Sequence, residues 1–200
     1  MKLVWLHGWP LDERQWERQL ARFGGVAPNL YRRGPSVDAW ARQLLDEIDG
    51  GQLVLVGCST GGYTALAMAK HASERIAAVV LAPSKAAPDT PERKEFRDGL
   101  IERMRKDGPP EHAFEGIPVE DLITVQLAIR DRLDATEVVR EFPGVFVACA
   151  GTKDTIVSVA EATELAELAP NGRVEVFEGS DHFINLDDPD GFDAMIESLL

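Results

Sequence analysis

The residues best suited to chemistry in this chain are Gly57-Cys58-Ser59-Thr60-Gly61-Gly62. Ahead of them, Leu53-Val54-Leu55-Val56 is an unbroken apolar run, as expected of a short strand buried on both faces. Behind them, Tyr63 to Lys70 is rich in alanine and carries Leu66 and Met68, as expected of a well-packed helix. A serine on such a turn is held in a strained backbone geometry with its hydroxyl projecting from the sheet. Gly57 and Gly61 let strand and helix approach closely. The same turn aims the helix N-terminus at that hydroxyl, so the Thr60 N–H can donate to an oxygen that becomes negative during acyl transfer. The implied chemistry is attack by Ser59 on a carbonyl carbon. The strand before and the helix after distinguish this stretch from a Gly-rich turn carrying a solvated serine. A base, an acid and a second oxyanion donor must come from elsewhere in the chain.

The elements that would position them follow from periodicity. Leu3 to Leu6 reads as a first strand ending at His7-Gly8-Trp9-Pro10, and residues 12 to 23 read as an amphipathic helix carrying Trp16, Leu20 and Phe23. Val26 to Leu30 reads as a second short strand. A turn at Tyr31-Arg32-Arg33-Gly34-Pro35 follows, and Ser36 caps a helix with Val37, Trp40, Leu44, Leu45 and Ile48 on one stripe. The strand before Ser59 is the third, and Ile76 to Ala82 the fourth. Val145 to Ala150 and Val174 to Phe177 complete the set, with helices at about 158 to 169 and from Pro189, the latter capped by Asp188. Strands separated by helices imply parallel pairing with right-handed crossovers. Between Ser84 and Glu141 the alternation breaks into helical periodicity, roughly 92 to 106 and 118 to 140, divided by Gly108-Pro109-Pro110. The expected organisation is a core made of residues 1–83 and 142–200, with a helical cap or lid inserted at 84–141.

The order His-Gly after the first strand, Gly-x-Ser-x-Gly-Gly after the third, Asp after the penultimate and His after the last resembles the α/β-hydrolase family along nearly the whole chain. The resemblance implies a minimal α/β-hydrolase fold: a mainly parallel six-stranded sheet, helices on both faces, and a short helical cap. Carried over residue by residue, it makes Ser59 the nucleophile, His182 the base and Asp154 the residue that orients it. The backbone N–H groups of Trp9 and Thr60 become the oxyanion hole. A serine hydroxyl is a weak nucleophile until an imidazole accepts its proton, and a carboxylate then fixes the tautomer and stabilises the imidazolium.

Other residues compete for these roles. His7 is expected to hold the oxyanion loop, His71 to lie on the surface and His112 to be solvated, which leaves His182 at the required place in chain order. Asp181 adjoins His182, but successive side chains of an extended loop diverge. At the end of the fourth strand Ala82-Pro83-Ser84 offers no carboxylate. The Trp9 indole either walls the acyl pocket or simply packs. Ile117, Val119, Leu122, Ile123 and Leu127 either form an apolar lid or pack on one another. Arg32 and Arg33 are expected to be structural or solvated.

The chain's 200 residues suit one compact domain with an insertion. Thirty-four acidic residues against 21 basic give a formal charge of -13, and no Lys/Arg block could track a phosphate backbone, which argues against nucleic acid as a partner. No run approaches a membrane span and no secretory segment follows Met1-Lys2, so the expected location is cytoplasmic and no membrane partner is expected. Cys58 and Cys149 fall at the ends of strands with another strand between them, about 9 to 10 Å apart and beyond disulfide reach, so both are expected as buried free thiols. No metal-ligand spacing or phosphate loop occurs, and no cofactor is expected. The reading is a serine esterase acting on a small-molecule carboxylic ester with a small to medium acyl or aryl group. A lactonase, thioesterase, acyltransferase, perhydrolase or carbon-carbon bond hydrolase with the same triad stays open, as does a receptor or inactive protein on the same fold.

Overall fold

A computed structural model describes all residues 1–200. Its centre is a five-stranded, wholly parallel sheet in the order β1 (Lys2–Leu6), β2 (Leu53–Cys58), β3 (Ile76–Ala82), β4 (Val145–Gly151) and β5 (Gly172–Phe177). Because every strand runs the same way, all five C-terminal ends lie along one edge, and the loops leaving them share that edge.

The strand alternation divides the core in two. Val4, Leu6, Leu53, Leu55, Val79, Leu81, Phe146 and Ala148 face one layer, where α2 (Val37–Glu47), α3 (Thr60–Ala72), α6 (Thr136–Glu141) and α7 (Val159–Leu168) cover the sheet. Leu3, Trp5, Val54, Val56, Cys58, Val80, Val147 and Cys149 face the other, against Trp16, α1 (Glu17–Phe23) and α9 (Pro189–Glu197). These strands are apolar on both faces because both faces are covered. The remaining helices are α4 (Pro91–Asp107), α5 (Val119–Arg130) and the single turn α8 (Ile184–Asp187). Ile101 and Met104 of α4 and Leu122, Ile123 and Ile129 of α5 form a third buried cluster with Tyr31, Val37, Trp40 and Tyr63, and residues 84–141 contain no strand.

The expected sheet has one strand too many. Val26 pairs with Val4 for a single residue, with Trp5 N–H donating to Val26 O and Val26 N–H to Leu3 O, each at 2.9 Å. Pairing then stops because Pro28 has no N–H, Asn29 Oδ1 accepts the Tyr31 N–H at 2.8 Å, and the Leu30 N–H turns to the His7 ring at 2.9 Å. Pro28 thus offers no donor and the Leu30 N–H is taken by a side chain, so the ladder does not extend.

Smaller differences have local causes. The first helix starts as a 3-10 turn, Glu13–Trp16, capped by the Asp12 carboxylate. The long helical stretch from 118 breaks after Arg130 and resumes at Thr136, where Asp134 Oδ1 accepts the Thr136 N–H at 2.8 Å. The single-turn α8, just past His182, was not expected. The caps at Ser36 and Asp188 form, accepting from Ala39 and Gly191 respectively. Cys58 and Cys149 are buried free thiols on β2 and β4 with β3 between them. Burial pushes the Cys58 thiol up to about 12 and raises Cys149 as well.

Candidate active site

Ser59 occupies the bend between β2 and α3 with φ 49° and ψ -108°. A non-glycine residue in this region carries strain of order 1–3 kcal/mol. The sharp bend is possible because its neighbours have no side chains. A Cβ at Gly57 would strike the Gly61 carbonyl and one at Gly61 would strike the Leu6 carbonyl on β1. Thr60 is the first residue of α3, so its N–H has no intrahelical acceptor and points with the positive end of the helix toward the bend.

Two loops from the same sheet edge bring the other polar groups. Beyond β4, Asp154 has a fully buried side chain. Its Oδ1 accepts the N–H groups of Ile156 and Val157 at 2.7 and 3.0 Å, and its Oδ2 lies 2.8 Å from His182 Nδ1. Burial pushes the Asp154 carboxyl up, but the His182 hydrogen bond and charge, with the two backbone donors, outweigh it and hold the group below the usual carboxylate range. Beyond β5, His182 is 8% exposed, and with Nδ1 on a carboxylate its proton sits there. Its other nitrogen, Nε2, is buried with no hydrogen-bond partner. The Ser59 hydroxyl makes no hydrogen bond with it here. A Cβ added to Gly8 would lie 3.0 Å from the Phe183 ring and 3.2 Å from Cys58 Sγ. The residue after His182 therefore packs beside the residue before Ser59.

The third loop leaves β1. The Gly8 N–H donates to Gln15 Oε1 at 2.8 Å, whereas the Trp9 N–H donates to no protein group. Gln15 also donates to Asn185 Oδ1 at 2.9 Å, and Asn185 returns a bond to the Gln15 carbonyl at 3.0 Å. This buried pair ties the loop of Trp9 to the loop of His182. Sequence reading missed it, because neither amide has a motif and their separation is 170 residues. The Trp9 indole donates to the Leu122 carbonyl of α5 at 3.2 Å and packs against the third cluster. In that cluster Leu122 and Ile123 are buried outright, while Ile117, Val119 and Leu127 are half-buried against it.

The competing groups are otherwise engaged. His7 is buried, accepts the Leu30 N–H at Nε2 and meets the Gly8 carbonyl through Nδ1 at 3.1 Å, and burial lowers its pKa to about 4. Both nitrogens are thus committed and the ring is neutral. His71 pairs with Asp38 at 2.6 Å and His112 is exposed. Asp181 turns its carboxylate to the His182 backbone N–H, at 2.8 Å, instead of the ring. Arg32 pairs with Asp121 and Arg33 with Glu47. No group of three or more His, Cys, Asp or Glu side chains is arranged to hold a metal ion, and no helix is long and apolar enough to cross a membrane. A cavity of about 460 Å³ lies along the outer side of α3, between Val37, Tyr63, Leu66, Lys70 and Arg132, and includes none of Ser59, Asp154 or His182.

A family model described as the alpha/beta hydrolase family matches residues 3–195. Among solved structures, a thermophilic esterase from Thermogutta terrifontis superposes with a TM-score of 0.84 at 24% identity, over 100% of this chain and 89% of that one. An esterase from Exiguobacterium antarcticum gives 0.84 at 22% identity, over 100% and 91%. An enol-lactonase from Burkholderia xenovorans LB400 gives 0.83 at 18%, over 98% and 89%. At these identities the likeness shows the fold. No curated protein matches in sequence.

Proposed function

Since the chain belongs to the alpha/beta hydrolase family, we propose that it is a serine esterase, cleaving a carboxylic ester with a small to medium acyl or aryl group through an acyl-enzyme. In this reading Ser59 Oγ attacks the ester carbonyl while His182 Nε2 takes its proton. The N–H groups of Trp9 and Thr60 receive the oxyanion. His182 returns the proton to the leaving alcohol. Water then attacks the acyl-enzyme by the same route and releases the acid. Asp154 keeps the imidazole proton on Nδ1 and stabilises the imidazolium.

The observation that carries this reading is the state of His182. Its Nδ1 is held by a buried carboxylate whose other oxygen is pinned by two amides, and its Nε2 is left without a partner at the sheet edge that carries Ser59. A histidine serving only to cap a loop would have no need of a buried free acceptor. In this reading the helical segment 84–141 is the cap, and the Trp9 loop and α5, joined by the indole's hydrogen bond to the Leu122 carbonyl, would wall the acyl pocket. A lactone is a cyclic ester opened by identical steps, and the likeness to an enol-lactonase makes lactonase the second reading.

The test is hydrolysis of p-nitrophenyl esters with acyl chains of increasing length, and of simple lactones, by wild type, Ser59→Ala and His182→Ala, with mass spectrometry of a fluorophosphonate adduct. Turnover by wild type, an adduct on Ser59 and a fall in kcat of several orders of magnitude in both variants, ~10⁶ in the best-studied case, are expected. Variants as active as wild type would overturn the assignment, and lactones turned over much faster than linear esters would favour the second reading.

A further inference from the structure

Building on Ser59 as the nucleophile, we propose that Ser84 is a positioning residue for it, acting on the main chain of the bend and not on substrate. Ser84 lies two residues beyond β3, is 4% exposed, and donates its hydroxyl to the Ser59 carbonyl oxygen at 2.8 Å. The residues just before it take the other polar main-chain group of the same residue. The Ser59 N–H donates to the Pro83 carbonyl at 2.9 Å and more weakly to that of Ala82 at 3.3 Å. From the helix side, the Ser59 carbonyl also receives the N–H groups of Gly62 and Tyr63 at 2.9 and 3.2 Å.

Both polar main-chain groups of a residue at φ 49° are therefore gripped by the segment 82–84. Relaxing φ or ψ toward an ordinary value would rotate one of these groups away from its partner. The strain is thus held by a neighbouring strand end as well as by the helix, and the direction of the Ser59 side chain is fixed with it. Ser84 has no part in proton transfer, because its hydroxyl proton is committed to a carbonyl oxygen.

The same contact explains why Gly61 is followed by a second glycine. A Cβ at Gly62 would run into both Cβ and Oγ of Ser84. The missing side chain at 62 is the space through which the hydroxyl reaches the bend. Any residue with a side chain there pushes Ser84 off its acceptor.

Ser84→Ala keeps the packed Cβ and deletes only the donor. With p-nitrophenyl acetate, kcat should fall about 10- to 100-fold, since a nucleophile displaced by a fraction of an ångström loses its near-attack geometry, while KM stays within about twofold. The rate at which a fluorophosphonate labels Ser59 should fall by the same factor. The acid limb of the pH profile of kcat/KM should not move, because the Asp154–His182 pair is untouched. Gly62→Ala should give the same signature from the opposite side. Ser84→Cys, which is somewhat larger than serine and offers only a weak donor, is the companion variant if Ser84→Ala does not fold.

Wild-type kcat and labelling rate in Ser84→Ala or Ser84→Cys, a rise in KM at unchanged kcat, or a shifted acid limb would each overturn the proposal. A wild-type protein that is never labelled at Ser59 overturns the nucleophile assignment and this proposal with it. A labelled wild type beside an unaffected Ser84 variant overturns this proposal alone.

Discussion

Replacing Asp154 with asparagine tests the tautomer argument with little change of shape. The two carboxylate oxygens have different work: Oδ1 accepts the N–H groups of Ile156 and Val157, and Oδ2 meets His182 Nδ1. An asparagine must put its carbonyl oxygen toward the two backbone donors, because an NH2 group there would face two N–H groups. Its NH2 then occupies the Oδ2 position and donates to Nδ1. His182 is forced to carry its proton on Nε2, where it cannot accept one from Ser59. The expected loss in kcat/KM is ~10⁴, about 5 kcal/mol of transition-state stabilisation. The assay is p-nitrophenyl butyrate hydrolysis beside a thermal melt. Because both backbone donors keep their acceptor, the folded state should persist at neutral pH, whereas Asp154→Ala would leave the buried Val157 N–H and the part-buried Ile156 N–H unpaired. A folded Asp154→Asn variant within tenfold of wild type would refute the tautomer reasoning.

Further outcomes follow from other contacts. Arg97 and Arg132 are both buried and share the single carboxylate of Asp89, so Asp89→Ala leaves two uncompensated guanidiniums and should cost about 3–5 kcal/mol in a urea melt; a loss under 1 kcal/mol would contradict this. Gln15→Ala frees the Gly8 N–H and breaks the tie to Asn185, so kcat should fall about tenfold, and an unchanged kcat would remove Gln15 from the account. Asp89 and Asp154 both have carboxyl pKa values depressed in the folded protein, against the upward push of burial, by hydrogen bonds and charge from Arg97 and Arg132 and from His182. Their stabilisation is complete above the unfolded value near pH 4 and is lost as pH falls through the lower folded values. Melting temperature should drop on that acid side, less steeply in a folded Asp154→Asn variant. Cys58 and Cys149 are buried, with thiol pKa values raised by burial, so a thiol reagent at pH 8 should modify them only after unfolding; rapid labelling of the native protein would show that the core opens locally.

Much of the sheet was legible because parallel strands covered on both faces leave continuous apolar runs, as in Leu53–Val56 and Ile76–Ala82. The failure at Val26 to Leu30 has the opposite cause. Its residues are apolar enough for a strand, but Pro28 carries no N–H and the Leu30 N–H finds its acceptor in the His7 ring. Nothing in the local pattern records a partner 23 residues away. The interruption between α5 and α6 was hidden similarly, since helical periodicity persists across a break made by Asp134 accepting the Thr136 N–H.

At the site, the glycines were legible as signs of close approach but not of what approaches. Gly61 makes way for the Leu6 carbonyl of β1, and Gly62 for Ser84 beyond β3. Two adjacent glycines thus record contacts with two strand ends on either side of β2. That explains why so short a motif belongs to a whole sheet: moving either flanking strand toward β2 or away from it would close or empty a space that one missing Cβ is sized to fill. Residues held by hydrogen bonds leave a weaker trace, for serine, glutamine and asparagine are common surface residues. Ser84, Gln15 and Asn185 look ordinary in the sequence, yet each is buried and each bonds to a loop from another strand end. A variant that keeps every motif residue but loses Ser84 and Gln15 should therefore fold and bind ester while turning it over slowly. Turnover at the wild-type rate would mean that packing alone fixes Ser59 and the Trp9 loop.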